Sequence, residues 1–254
     1  MTAPGLRLDG EVALITGATT GIGRAIALAF ASAGAAVAVN HLPAQADAAA
    51  ALVQTIRANG GRATAVPADV RRAGEVAAMV AQAEAALGPL SLLVNNAGVI
   101  DERPFLDTTE ADWDRVMEAD LKSVFLCCRA VLPGLAARGR GVVINLASDL
   151  GLLGRAQFSA YCAAKAGVIG LTKSLAREFA PAIRVNAIAP GPVATAMLSP
   201  EAMSAAWIEK ELDIPQHRFA DPDEIAATAL FLASDASRFY CGQVLGPNGG
   251  SVMP

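Results

Sequence analysis

The sequence is short of aromatic residues: 2 Trp, 2 Tyr and 8 Phe make up 5% of its 254 residues. It holds 4 cysteines, Cys127, Cys128, Cys162 and Cys241, and 2 histidines, His41 and His217. It also lacks an excess of charge, with 20 Lys+Arg against 24 Asp+Glu and a formal net charge of −4. Each shortage excludes something. Four thiols without a CxxC pair do not form a disulfide framework in a chain of this length, and they read as reduced thiols of a cytoplasmic protein. Cysteine and histidine are too scattered for a zinc site, so no metal is expected. No basic block offers a nucleic-acid surface. The mean hydropathy is +0.41, yet no run of about 20 apolar residues is present to span a bilayer. The nearest, residues 25–39, consists of small residues interrupted by Ser32 and Gly34, and reads as a buried helix running into a buried strand. Residues 1–10 carry Arg7 and Asp9 without an apolar centre and do not read as a signal peptide.

What is abundant is alanine. Hydrophobic residues account for 54% of the chain, and 56 residues are alanine. Such a chain can bury enough surface to offset its conformational entropy, which excludes disorder. Short apolar runs at residues 12–16, 37–40, 63–68, 92–95, 142–146, 184–188 and 243–246 read as strands. Helical stretches alternate with them at 21–34, 45–59, 73–87, 109–138, 157–180 and 222–234, with Pro133 expected to bend or end the longest. The strands are continuously apolar rather than alternating, as in a parallel sheet buried on both faces. The expected fold is therefore α/β: a doubly wound, mostly parallel seven-stranded sheet with helices on both faces, Rossmann-like, in a single domain spanning 1–254. Residues 192–216, rich in proline, are expected to form a substrate lid within it.

The first strand runs into Thr16-Gly17-Ala18-Thr19-Thr20-Gly21-Ile22-Gly23 and then a helix. Glycines at such a turn let backbone N–H groups approach a pyrophosphate, and the helix N-terminus offers its positive dipole end. The spacing is GxxxGxG rather than GxGxxG, and a tight turn without a ligand would use the same residues. Two further strand ends fit a dinucleotide. Asp69, followed by Val70, could accept from an adenine amino group. The turn Asn95-Asn96-Ala97-Gly98 would pass under the adenosine ribose. The second strand ends Asn40-His41-Leu42 with no carboxylate before Asp47. An acid there would bond a ribose 2′-hydroxyl and repel a 2′-phosphate. Its absence, with Arg24 following the loop and a His41 that tolerates a phosphate, favours NADP(H) over NAD(H).

Tyr161 and Lys165 stand at i and i+4 on one helix, so they share a face. An ammonium beside a phenol favours the phenolate and lowers its pKa from about 10 toward neutrality. Such a tyrosine can exchange a proton with an alcohol or ketone. Ser148, at the carboxyl end of the fifth strand, could bond the same substrate oxygen.

Jointly, residues 16–23, Asp69, residues 95–98, Ser148, Tyr161, Lys165 and Pro190-Gly191 resemble the short-chain dehydrogenase/reductase family over about residues 6–250, and its 3-oxoacyl-carrier-protein reductases in particular. The resemblance implies that Tyr161 is the general acid/base and that Lys165 lowers its pKa and bonds the nicotinamide ribose. It implies that Ser148 orients the carbonyl oxygen and that Pro190, Gly191, Pro192, Val193 and Thr195 hold the carboxamide. One position departs from the pattern. Where the family usually has an asparagine completing a proton relay, this chain has Asp120, which accepts from water but loses a donor and adds a negative charge.

The substrate pocket is expected to be lined by Asp149, Leu150, Leu152, Leu153, Gln157, Phe158 and Pro192, with Met197, Leu198, Met203 and Trp207 from the lid. This favours a ketone with apolar flanks, such as a β-ketoester or an aryl ketone, and the resemblance to the 3-oxoacyl-carrier-protein reductases implies 3-oxoacyl compounds. A sugar 1-dehydrogenase is the alternative, with Asp149 and Gln157 binding hydroxyls. A silent nucleotide-sensing protein is a third reading, against which the intact Ser148, Tyr161 and Lys165 weigh. A lyase or epimerase is disfavoured because those members usually carry a larger C-terminal region. Docking of a carrier protein would need a basic patch beside the site, for which Arg138, Arg140 and Arg177 are the candidates. The apolar excess of helices 109–138 and 157–180 suggests subunit contacts, and the resemblance implies a homotetramer.

Overall fold

The computed structural model describes residues 6–198 and 204–253. Seven parallel strands form one sheet: β1 (Val12–Ile15), β2 (Ala36–His41), β3 (Arg62–Pro67), β4 (Leu92–Asn95), β5 (Gly141–Leu146), β6 (Ile183–Ile188) and β7 (Val244–Leu245). Their order is β3-β2-β1-β4-β5-β6-β7. The helices are α1 (Gly21–Ser32), α2 (Ala46–Ala58), α3 (Ala73–Leu87), α4 (Glu110–Met117), α5 (Ser123–Arg138), α6 (Leu150–Leu153), α7 (Ser159–Phe179), α8 (Ala205–Glu211) and α9 (Pro222–Ala233). The expected doubly wound, single-domain α/β fold is what the chain forms. No helix among the described residues is long and apolar enough to cross a membrane.

The sheet is buried on both faces because successive strand residues point to opposite sides. Ile15, Val37, Val39, Val94 and Ile144 pack with Ile26 and Phe30 of α1, Leu52 and Ile56 of α2, and Ile225 and Leu232 of α9. Leu14, Leu93, Val143 and Val185 pack on the other side with Val76 and Met79 of α3, Val131 and Leu135 of α5, and Val168 of α7. Burying a side chain such as Phe30 contributes about 1.5–3 kcal/mol. Alanine lines the contacts: Ala25 and Ala27 of α1 and Ala226, Ala229 and Ala233 of α9 belong to one cluster, and small side chains there let helices approach closely.

Strand order reverses between β2-β1 and β4, so the carboxyl ends of β1 and β4 diverge into a crevice, the place where open α/β sheets bind ligands. Polar bonds fix that edge. Thr16 Oγ1 accepts from the backbone N–H groups of Asn96 (2.9 Å) and Ala97 (3.0 Å). Asn96 Nδ2 donates to the carbonyls of Thr16 (3.0 Å) and Gly17 (3.1 Å). Deeper, Asn95 donates to Asn145 at 2.8 Å, and Asn145 to Thr172 at 2.9 Å, tying β4, β5 and α7 together.

Two features differ from expectation. The helical region 109–138 is not continuous: α4 gives way to a π-helical stretch, Glu118–Lys122, before α5 begins. The wider turn is a local excess of one residue that carries Asp120 inward. Pro133 does not end the helix; α5 continues through it to Arg138. The region 192–216 contains helix α8. The part of it at residues 199–203, including Met203, lies outside the described residues.

Candidate active site

A cleft of about 460 Å³ runs along the carboxyl edge of the sheet. At one end lie Gly17, Thr19, Thr20, Gly21 and Ile22, with Asn40, Leu42, Gln45, Asp69, Val70 and Arg71. Asn96, Ala97 and Gly98 form its floor, and Pro190, Gly191, Pro192, Val193 and Thr195 its opposite lip. Gly17 and Gly21 have φ of 59° and 51°, the left-handed region that favours glycine. A Cβ on Gly17 would stand 3.0 Å from Ala97 Cα, and one on Gly23 would stand 2.5 Å from Asn96 Nδ2 and Gly17 O. Gly23 thus holds the loop against β4 rather than lining the cleft. No side chain caps the first turn of α1, and the buried Thr19 hydroxyl has no partner. Free N–H groups at a helix start beside an orphan hydroxyl fit the phosphates of a dinucleotide.

The base-binding end corrects two expectations. His41 is buried and bonds through Nδ1 to the Leu42 carbonyl at 2.9 Å, and it is not on the cleft wall. Adjacent strand residues face opposite sides, so it is Asn40 that turns toward the glycine loop, accepting from Gly17 N–H at 3.2 Å. Arg24 is exposed outside the cleft, a turn beyond the loop. The cation that does line this end is Arg71, which grips Asp69 through Nε (2.8 Å) and Nη2 (2.6 Å). The bond with Arg71 holds the Asp69 carboxyl below its ordinary pKa.

At the other end the structure brings Ser148, Tyr161, Lys165 and Asp120 together on one wall. Asp120 is fully buried, its Oδ1 accepting from Val99 N–H at 2.8 Å. Its Oδ2 stands 3.2 Å from Lys165 Nζ. Lys165 also donates to the Leu146 carbonyl at 3.1 Å, and its Nζ lies 5.4 Å from the Tyr161 ring centre. Gly98 makes room for this pair: a Cβ there would fall 2.8 Å from Asp120 Oδ2. Burial pulls the Lys165 pKa down, but Asp120 and Tyr161 outweigh it and leave it raised.

Tyr161 runs against expectation. Burial pushes its pKa up, Lys165 pulls it down, and Asp120 pushes it up again; the net shift is upward. Burial and the carboxylate at 120 oppose the ammonium on which a lowered pKa depended.

Leu150, Phe158, Pro192, Met197 and Leu198 give this end apolar walls. Gln157, Leu152 and Leu153 are exposed outside them. Gln157 has φ of 72°, and its carbonyl accepts from Arg103 N–H at 2.7 Å, so its backbone shapes the loop while its side chain leaves the site. Residues that sequence reasoning missed are charged. Arg155 lies between the rings of Phe158 (5.5 Å) and Trp207 (5.4 Å) and donates to Glu211 at 2.6 Å. Trp207 is therefore placed against the cleft through Arg155 rather than on its wall. Arg115 lines the mouth, paired with Asp101 at 2.8 Å. An arginine, a glutamate and a tryptophan separated by some fifty residues carry no periodic signal by which sequence could join them. The cysteines Cys127 and Cys128 are buried away from the cleft, and burial pushes the Cys128 thiol up to about 12. Arg138, Arg140 and Arg177 precede β5 and β6, at the amino ends of the strands. They stand opposite the cleft and form no basic patch beside it.

Residues 17–251 match the family model described as Enoyl-(Acyl carrier protein) reductase. A 3-oxoacyl-[acyl-carrier-protein] reductase, FabG, of Staphylococcus epidermidis is 41% identical over 243 residues, covering 95% of this chain and 98% of its own. A 3-oxoacyl-[acyl-carrier-protein] reductase of Synechocystis is 42% identical over 248 residues, covering 97% and 98%. Among solved structures, a 7 alpha-hydroxysteroid dehydrogenase complexed with NADH and 7-oxo glycochenodeoxycholic acid superposes with a TM-score of 0.91. It is 37% identical and covers 98% of this chain and 97% of its own.

Proposed function

The chain belongs to the short-chain dehydrogenase/reductase family of NAD(P)-dependent oxidoreductases, and from that premise we propose that it is an NADP(H)-dependent ketoreductase acting on ketones, β-ketoesters or 3-oxoacyl compounds. The observation that carries this is the convergence of Ser148, Tyr161, Lys165 and Asp120 on one wall of the cleft whose other end is the glycine loop. The relatives named 3-oxoacyl-[acyl-carrier-protein] reductase support the substrate class.

When bound, the nicotinamide supplies the hydride to the carbonyl carbon or takes it from the alcohol. Tyr161 gives its phenolic proton to the carbonyl oxygen during reduction and takes it back during oxidation. Ser148 holds that oxygen by a hydrogen bond that strengthens as charge develops on it. Lys165 holds the cofactor ribose and favours the phenolate. Asp120 pairs with the Lys165 ammonium and accepts from the water that refills the proton at Tyr161. The apolar walls exclude competing water from the reacting centre.

NADP(H) is favoured over NAD(H) by the absence of a carboxylate among Asn40, Leu42 and Gln45, and by Arg71, which balances the charge of Asp69. The aldose reading loses its footing, since Gln157 lies outside the cleft and both Asp149 oxygens are engaged by serines. Residues 192–216 act as the substrate lid in this reading, held by the Arg155–Glu211 pair. The test is oxidation of NADPH against NADH with a panel of apolar ketone esters and, in reverse, a panel of aldoses. The expected result is higher kcat/KM with NADPH and a ketone ester; turnover confined to aldoses would overturn the substrate class, and NADH preference the cofactor.

A further inference from the structure

Asp149, the residue after Ser148, is 6% exposed, and each of its carboxylate oxygens is committed to a serine. Oδ1 accepts from Ser148 Oγ at 3.1 Å, and Oδ2 accepts from Ser251 Oγ at 2.6 Å. Ser148 Oγ in turn accepts from Leu150 N–H at 3.2 Å. Ser251 belongs to a turn built by the buried Asn248, whose Oδ1 accepts from Gly250 N–H (2.9 Å) and whose Nδ2 donates to the Val252 carbonyl (2.9 Å). The turn is seated on the lid base, where Gln216 N–H donates to the Gly249 carbonyl at 3.1 Å. A segment far along the chain thus reaches the active-site hydroxyl through one carboxyl group.

A hydroxyl has one proton and two lone pairs. With Asp149 ionised, Ser148 gives its proton to Oδ1 and one lone pair to Leu150, which leaves a lone pair facing the cleft. That arrangement suits an alcohol, which donates. With Asp149 protonated on Oδ1, the carboxyl donates to Ser148 Oγ, and the serine proton is released toward the cleft. That arrangement suits a ketone, which only accepts. We propose that Asp149, anchored by Ser251, is the positioning residue that decides whether Ser148 offers the substrate oxygen a proton or a lone pair. The inference rests on Ser148 being the oxygen-binding hydroxyl. No net proton transfer from Asp149 is involved; Tyr161 remains the proton donor.

Burial raises the Asp149 pKa, opposed by its bonds to Ser251 and Ser148 and by Arg155. Among the described residues, Tyr161, Cys162 and Glu211 also sense Asp149. The switch between the two forms therefore falls above the ordinary carboxylate range, and ketone KM should rise relative to alcohol KM as pH climbs through it.

The test measures KM and kcat for a ketone and its alcohol across pH in the wild type, Asp149→Asn, Ser251→Ala and Ser148→Ala. In Asp149→Asn, with Ser251 donating to the amide oxygen, the amide N–H₂ faces Ser148 and mimics the protonated form. Ketone KM should lose its pH dependence, and alcohol KM should rise about three- to tenfold, the worth of one hydrogen bond. Ser251→Ala removes a bond to the ionised form, so the wild-type transition should move to higher pH. A role of the turn in stability alone would lower Tm in Ser251→Ala and leave the transition in place. An unmoved transition in both variants overturns the proposal. Should Ser148→Ala keep wild-type kcat/KM, the assignment of Ser148 itself fails, a result distinguishable from the first.

Discussion

Replacing Asp120 by asparagine removes one negative charge from beside Lys165 and keeps the shape of the side chain. Oδ2 of Asp120 is 3.2 Å from Lys165 Nζ, which is 5.4 Å from the centre of the Tyr161 ring. The two legs place the carboxylate no more than about 8.6 Å from the ring, where a unit charge at an effective dielectric of about 20 is worth at least about 1.9 kcal/mol. Asp120 raises the Tyr161 pKa, so its loss should lower that pKa. The sign for catalysis follows. Alcohol oxidation needs the phenolate and rises with pH through the Tyr161 pKa, while ketone reduction needs the phenol and falls through it, so both limbs move to lower pH in Asp120→Asn. The titration can be read without turnover, because the chain has only 2 tyrosines. Phenolate ultraviolet absorption followed against pH reports Tyr161 and Tyr240, and the Tyr161→Phe variant identifies which transition is which. Far-ultraviolet circular dichroism checks that the variant is folded, a needed control because leaving Lys165 buried without its carboxylate costs stability. A Tyr161 transition that stays where it was, in a folded variant, would refute the electrostatic account and remove Asp120 from the control of the proton.

Three further outcomes are expected. Tyr161→Phe should lower kcat for ketone reduction by about 10²–10⁴ with little change in KM, as steady-state kinetics would measure. Leu42→Asp puts a carboxylate on the cleft wall just past β2, where it repels a 2′-phosphate and accepts from a 2′-hydroxyl; the ratio of kcat/KM for NADPH to that for NADH should fall by about tenfold or more. Arg155→Ala removes the 2.6 Å partner of the buried Glu211 and the cation between Phe158 and Trp207. Unfolding in urea should show a loss of about 3 kcal/mol, and ketone KM should rise as α8 loosens from the substrate loop.

The fold was legible because its signals are local. Apolar runs of four to six residues between alanine-rich helices specify a parallel sheet whichever partners the strands find, and β4 and α3 have the limits that periodicity predicted. Boundaries elsewhere moved by a residue or two at caps. The pairing of Tyr161 with Lys165 was equally local, one helical turn apart. What sequence could not carry was side-chain direction at element ends. It counted His41 and Arg24 as facing the cofactor, while strand parity and helix phase turn Asn40 inward and Arg24 out. It read the stretch 109–138 as one helix, since a π-turn leaves the apolar pattern nearly intact.

By itself, then, the sequence determined the layered fold, the crevice at the first strand's end and the residues able to move a proton there, because all of these follow from composition, periodicity and short spacing. The tertiary structure decided how those residues are charged and aimed. Burial raises the Tyr161 pKa that the spacing alone would lower, and Asp120, set against Lys165 by the π-turn, adds to the rise. The turn at residues 248–252 reaches back about a hundred residues to engage Asp149. Arg155 is clasped by a helix over fifty residues on. Desolvation and Coulomb forces depend on through-space distance, and the folded chain alone fixes that.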